Sequence, residues 1–149
     1  MDSRGVLEAL TADLKTFIND PDIIYENYFI EPSRMEARRT DIPKARISLY
    51  EAGDNPNIRV DAYRTFETTQ EYTVQLSYVL AYRGDSSELG ELPMLEIKDK
   101  VADWVQQTDA SDLTDCGLST LYWSGSRIAF RGERLTTLEI NLTARRDML

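Results

Sequence analysis

An α+β fold is what this sequence predicts: a mainly antiparallel sheet with two amphipathic helices packed on one face. Three patterns predict it. Two stretches, near residues 6–18 and 94–105, repeat their apolar residues at steps of three and four, the period of a helix. Several others alternate apolar and polar residues, the period of a strand with one buried face. The alternating stretches come in runs, which favours antiparallel pairing, and parallel strands buried on both sides would be apolar throughout.

The first helix carries Val6, Leu7, Leu10, Leu14, Phe17 and Ile18 as one stripe. Asp2 or Ser3 is placed to cap its start, and Asn19-Asp20-Pro21 ends it. Ile23-Ile24-Tyr25 and Tyr28-Phe29-Ile30, bounded by Pro21 and Pro32, fit a short helix or an irregular packed segment. Residues 31–44 are polar and mixed in charge, and read as a loop or arm. Ala45, Ile47 and Leu49 then alternate, Asp54-Asn55-Pro56-Asn57 is a turn cluster, and Ile58, Val60 and Ala62 alternate again, which predicts a hairpin with its tip at 51–58.

Tyr72, Val74, Leu76, Tyr78, Leu80 and Tyr82 form the cleanest alternation, stopping at Gly84. A polar loop, Gly84-Asp85-Ser86-Ser87, is expected to run to Gly90, with Pro93 where a helix starts. Met94, Ile97, Val101, Trp104 and Val105 make the second helical stripe. Thr108 to Gly117 reads as a polar connector. Leu118 to Trp123 reads as extended, with a turn at Ser124-Gly125-Ser126 and further extended chain from Arg127 to Phe130. The last strand sets Leu138, Ile140, Leu142 and Ala144 opposite Thr137, Glu139, Asn141, Thr143 and Arg145.

Composition narrows the chemistry. The 149 residues have a single-domain length, 42% are apolar, and the formal charge is −9. No apolar run approaches the ~20 residues of a membrane-spanning helix, so no membrane partner is expected. The N-terminal residues lack the basic-then-apolar layout of a signal peptide. With no histidine and a single cysteine, Cys116, imidazole-dependent nucleophilic catalysis, Cys/His zinc sites and an intrachain disulfide have no residues to build them. Carboxylate chemistry remains open: Glu67, Glu71, Glu88, Glu91, Asp109, Asp112 and Asp115 are the candidate acids or ligands. They sit in polar stretches where solvated charge is the expected role. Asp109, Asp112 and Asp115 lack the ligand spacing, sixth-position glycine and closing glutamate of an EF-hand loop. No glycine pattern forms a phosphate cradle, so no cofactor is expected. Gly84, Gly90, Gly117, Gly125 and Gly132 read as turn formers. Cys116 has no activating neighbour in sequence and reads as inert.

The ordered set has a family likeness. An amphipathic helix precedes a hairpin. The strand Tyr72–Tyr82 ends at Arg83-Gly84, and the helix Leu95–Val105 follows. Then come Cys116-Gly117-Leu118, the strand through Trp123 and the closing run from Leu138 to Arg146. This set resembles the tail terminator (tail completion) proteins of long-tailed bacteriophages. The likeness spans most of the chain and is architectural. Residues 23–30 and 31–44 have no matched counterpart in it.

The resemblance implies a non-enzymatic virion protein, assembled in the host cytoplasm and placed at the head-proximal end of the tail. Its partners would be copies of itself in a ring, usually a hexamer, the tail tube protein and the head connector or stopper. A sheath protein would join them if the tail is contractile, and DNA would pass through the lumen without specific binding. Charge and size fit such a ring. An acidic lumen would not hold phosphates. A radius of gyration near ~15 Å gives a body roughly 40 Å wide, and a closed ring of such bodies leaves room for a duplex.

Candidate contact residues are Arg38 and Arg39 in the arm, Asp54, Asn55 and Asn57 at the expected tip, Asp85 and Glu88 in the following loop, and Arg145 and Arg146 at the end of the last strand. Tyr122 and Trp123 fit interface anchors or core. The rival readings are a head-completion or stopper protein, a tube subunit, an acidic DNA-mimic inhibitor and a carboxylate-dependent hydrolase.

Overall fold

A computed structural model describes residues 2–27, 45–60, 66–81, 88–131 and 135–147. Its elements are α1 (Ser3–Ile18), β1 (Ile23–Glu26), β2 (Ala45–Val60), β3 (Phe66–Ala81), α2 (Glu88–Gln107), α3 (Ala110–Asp115), β4 (Thr120–Arg131) and β5 (Leu135–Asp147). The five strands form one sheet in the order β1-β2-β3-β5-β4. The β1–β2 pair is parallel and the others are antiparallel. The fold is therefore α+β with a mostly antiparallel sheet, as the patterns predict.

Register places the apolar residues in rows across the sheet. Leu49 lies opposite Leu76, and Leu76 opposite Ile140. Ile47 lies opposite Tyr78, and Tyr78 opposite Leu138, with Ile128 of β4 completing that row. All but Ile128 are buried. A one-residue slip of β5 would replace Leu138, Ile140 and Leu142 on this face with Thr137, Glu139 and Asn141. Burying one such aliphatic side chain is worth ~1.5–3 kcal/mol, so the row as a whole fixes the register.

Both long helices cover that apolar face. α1 lies against β1 and β2, α2 against β4 and β5, and the helices touch each other. Val6, Leu10, Leu14 and Ile18 of α1 and Met94, Ile97, Val101 and Trp104 of α2 join the sheet residues in a single core. The indole nitrogen of Trp104 donates to Asp13 Oδ2 at 2.8 Å, tying α2 to α1. Phe17 departs from the expected stripe: it is 37% exposed.

The helix ends follow from local chemistry. Asp2 accepts from the Gly5 backbone N–H at 2.8 Å, as an N-cap should. Asn19 ends α1 in the left-handed region at φ 51°, and its N–H reaches the Lys15 carbonyl at 2.9 Å.

Several sequence expectations need correction. Ile23–Glu26 is neither helix nor irregular but a short strand, because its two isoleucines and Tyr25 add to the sheet beside Ala45–Ser48. The Asp54–Asn57 cluster is not a turn. β2 runs straight through it, with Asp54 opposite Tyr72, Asn55 opposite Glu71, Pro56 opposite Gln70 and Asn57 opposite Thr69. An irregularity between Glu51 and Gly53 absorbs the break in alternation. Among the described residues β1 pairs with β2 only as far as Ser48, so Pro56 has a strand neighbour on the β3 side alone, the kind of position where a strand accepts proline. The antiparallel pair is instead β2–β3, with a register that runs from Ala45 opposite Leu80 to Val60 opposite Phe66.

The loop expected to reach Gly90 ends earlier. α2 begins at Glu88, so Pro93 lies inside the helix rather than at its start. The 108–117 connector contains α3. Asp109 accepts from the Asp112 N–H at 2.9 Å, and Asp112 accepts from the Asp109 N–H at 3.4 Å, a reciprocal cap. Gly117, at φ 73°, lets Leu118 turn back to donate to the Leu113 carbonyl at 2.8 Å. Ser124-Gly125-Ser126 is a bulge in a continuous β4, not a turn: the register shifts between Trp123 and Gly125. The bulge switches which parity faces the helices, from Leu121 and Trp123 to Ser126 and Ile128. The arm at 31–44, with Arg38 and Arg39, and the loop residue Asp85 lie outside the described residues.

Candidate assembly surface

The sheet has two outer strands, and they differ. β1 is four residues long and β4 twelve. Among the described residues neither has a strand partner on its outer side. Unpaired strand edges present rows of N–H and C=O groups that template pairing with another chain.

Beside β4 lies a shallow groove of about 240 Å³ between α2 and the sheet, lined by Met94, Leu95, Lys98, Ser126, Ile128 and Leu138 together with Arg127. Leu95 is 56% exposed and Ile128 37%, so the groove has an apolar rim. Two cations flank it in a chain of −9: Lys98 on the helix side, and Arg127, which by register faces the other side of the sheet. Lys98 has Met94, Leu95, Val101 and Ala102 at the helical neighbour positions, so no acid on its own helix is spaced to pair with it. Arg127 donates through Nε to Glu139 Oε2 at 2.9 Å, and its side chain is otherwise largely in solvent.

The β1 edge is acidic. Asp22 is exposed, and Asp20 accepts from the Asp22 N–H at 2.9 Å. Glu26 accepts from Arg46 at 2.6 Å in a pair that is mostly buried.

The sheet face away from the helices is polar and ordered. Tyr50 donates to Gln75, and Gln75 donates to Asn141 at 3.0 Å, crossing β2, β3 and β5. Burial, and then Glu139, push the Tyr50 hydroxyl up to about 12, while Arg127 acts in the opposite sense. Ser124 and Thr143 hydroxyls meet at 2.6 Å on the same face, and Tyr122 stands half exposed there.

The contact residues expected from sequence are dispersed. Asp54, Asn55 and Asn57 lie along β2 rather than at a tip. Glu88 is the first residue of α2 rather than part of a loop. Arg145 is exposed in β5, and one register row holds Asn55, Glu71, Arg145 and Thr120, so two of the named positions share a row with β3 between them. Arg146 is a correction: it follows Leu142 and Ala144 on the helix-covered face and is only 8% exposed, so it faces inward instead of outward. The groove residues Leu95, Lys98, Arg127 and Ile128 are not among those the sequence pattern singles out. Leu95 is an apolar residue off the α2 stripe, which is the one signal that points to it.

The candidate carboxylates lie on three different elements. Glu67 and Glu71 are on β3, Glu88 and Glu91 on α2, and Asp109, Asp112 and Asp115 around α3. Among the described residues no group of three or more such side chains is placed to hold a metal ion. Burial, followed by Asp13, Asp115 and Asp112, raises the Cys116 thiol to about 11, which keeps it protonated and unreactive at neutral pH. Among the described residues no helix is long and apolar enough to cross a membrane. No protein-family model matches the chain, and no curated protein matches it.

Proposed function

We propose that this chain is a structural subunit that works by self-association, of the tail terminator kind: a head-to-tail ring that caps a tail tube and meets the head connector. The observation that carries this reading is a sheet whose two outer strands, among the described residues, have no strand neighbour and carry charges of opposite sign. An open edge is a hazard in a monomer and an adhesive in an assembly. Head-to-tail contacts between unlike surfaces close into rings when the rotation per subunit allows it. The net charge of −9 suits a passage through which DNA moves without adhering.

Size-exclusion chromatography with light scattering tests self-association, and electron microscopy tests the form. Discrete single rings at the head-proximal end of isolated tails support a terminator. Long stacks of rings identify a tube subunit instead. A monomer at all concentrations, with tight stoichiometric binding to a host nuclease, would turn the reading toward a DNA mimic.

A further inference from the structure

We infer that the ring contact is strand addition: the β4 edge and its basic groove on one copy receive the acidic β1 edge of the next, so that one sheet runs on into another. This inference rests on the self-association reading above and names its surfaces.

Three features carry it. The first is direction. β1 and β2 run together, and each later step across the sheet reverses, so β4 runs opposite to β1. A second copy that continues the sheet, with its helices on the same side, therefore lays its β1 antiparallel to β4, the better-bonded pairing.

The second is face matching. Ile23 and Tyr25 of β1 sit opposite Ala45 and Ile47, on the helix-covered face. Ser126 and Ile128 of β4 sit opposite Ile140 and Leu138 on the same face. The apolar row of one copy thus continues into the next, over the exposed rim of Ile128 and Leu95. A register that sets Arg127 opposite Glu26 of the added strand also sets Ile128 opposite Tyr25.

The third is charge. Lys98 on the helix side of β4 and the largely exposed Arg127 on its other side meet an edge carrying Asp20 and the exposed Asp22, Glu26 being already paired with Arg46. The two surfaces differ, so the contact is heterologous, as a ring of more than two copies requires. Like-charge alternatives are disfavoured: groove against groove sets basic residues together, and edge against edge sets acids together.

A charge swap tests this in the intact chain. Lys98→Glu combined with Arg127→Glu makes the groove acidic, and Asp22→Lys makes the edge less acidic. Each variant alone should raise the concentration for half-assembly by about tenfold or more, since matched charges set partner choice. The two variants mixed one to one should assemble again, because each acidic groove now meets an edge that carries the introduced lysine, while the unaltered surfaces still fit. Circular dichroism checks folding; if the double groove variant unfolds beside Glu139, Lys98→Glu alone serves. Wild-type assembly that weakens with salt supports the same contact. Rings that persist in every variant, or folded variants whose mixture stays dispersed, overturn the strand-addition contact and leave the ring reading standing. A wild-type chain that stays monomeric at all concentrations overturns both.

Discussion

The bond between Trp104 and Asp13 joins the two long helices, and its loss has a size that can be worked out. Trp104 is buried, and its indole N–H donates to a carboxylate oxygen at 2.8 Å. A hydrogen bond to a charged group is worth ~1.5–3 kcal/mol. Trp104→Phe removes that bond and leaves part of the indole volume empty, so the expected loss is about 3 kcal/mol. For a domain of this size that lowers Tm by roughly 6–12 °C. Asp13→Ala removes the same bond from the other side and strands the buried N–H, at a cost of ~1–3 kcal/mol. The decisive quantity is the double-mutant cycle. If the bond is real, Trp104→Phe and Asp13→Ala together cost less than the sum of the singles by about 1 kcal/mol or more. Urea unfolding followed by far-ultraviolet circular dichroism measures all four proteins on one scale, given equal m-values. Additivity to within ~0.3 kcal/mol would show that the two side chains do not interact and that the α1–α2 contact is apolar packing alone.

Other outcomes follow from the same structure. Leu76→Ala, in the centre of the Leu49–Leu76–Ile140 row where all three are fully buried, should cost ~2–5 kcal/mol in urea unfolding. Arg46→Ala should cost ~3–5 kcal/mol because it removes the cation bonded to the mostly buried Glu26 carboxylate. Arg4→Ala, whose ion pair with Glu8 lies in solvent, should stay within ~0.5 kcal/mol of wild type in the same titration. Alkaline pH should destabilise the fold. The Cys116 thiol rises from an ordinary 9.0 to about 11 on folding, so the native state holds its proton longer than the unfolded chain does. The stability this lends is complete below pH 9 and falls away between 9 and 11. Tyr25, Tyr50 and Tyr78, each raised from 10.0 to about 12, add a second decline above pH 10. Cys116→Ala should abolish the first decline and keep the second; thermal melts at half-unit steps from pH 8 to 11 would show a curve unchanged by the substitution if the thiol were not buried.

What the sequence determined by itself was whatever depends on local periodicity. The α1 and α2 stripes, the Asp2 and Asn19 caps and the alternation of β3 and β5 are each written within a few residues, because a helix turn or a strand pleat repeats over that distance. The removal of imidazole and zinc chemistry likewise needed only an inventory of side chains. Tertiary structure decided the rest. Asp54-Asn55-Pro56-Asn57 has the composition of a turn, yet β3 supplies a partner for every one of those positions, and long-range pairing overrode the local preference. The bulge at Ser124 has no local signature, since it is defined by which residues of β5 lie opposite. Arg146 reads as a surface charge until β5 continues the inward parity of Leu142 and Ala144 to it. The edges themselves are a property of strand order: that β4 and β1 lie outermost among the described strands, and that Lys98 stands over one end of the sheet while Asp22 stands at the other, follows from how the chain crosses in space.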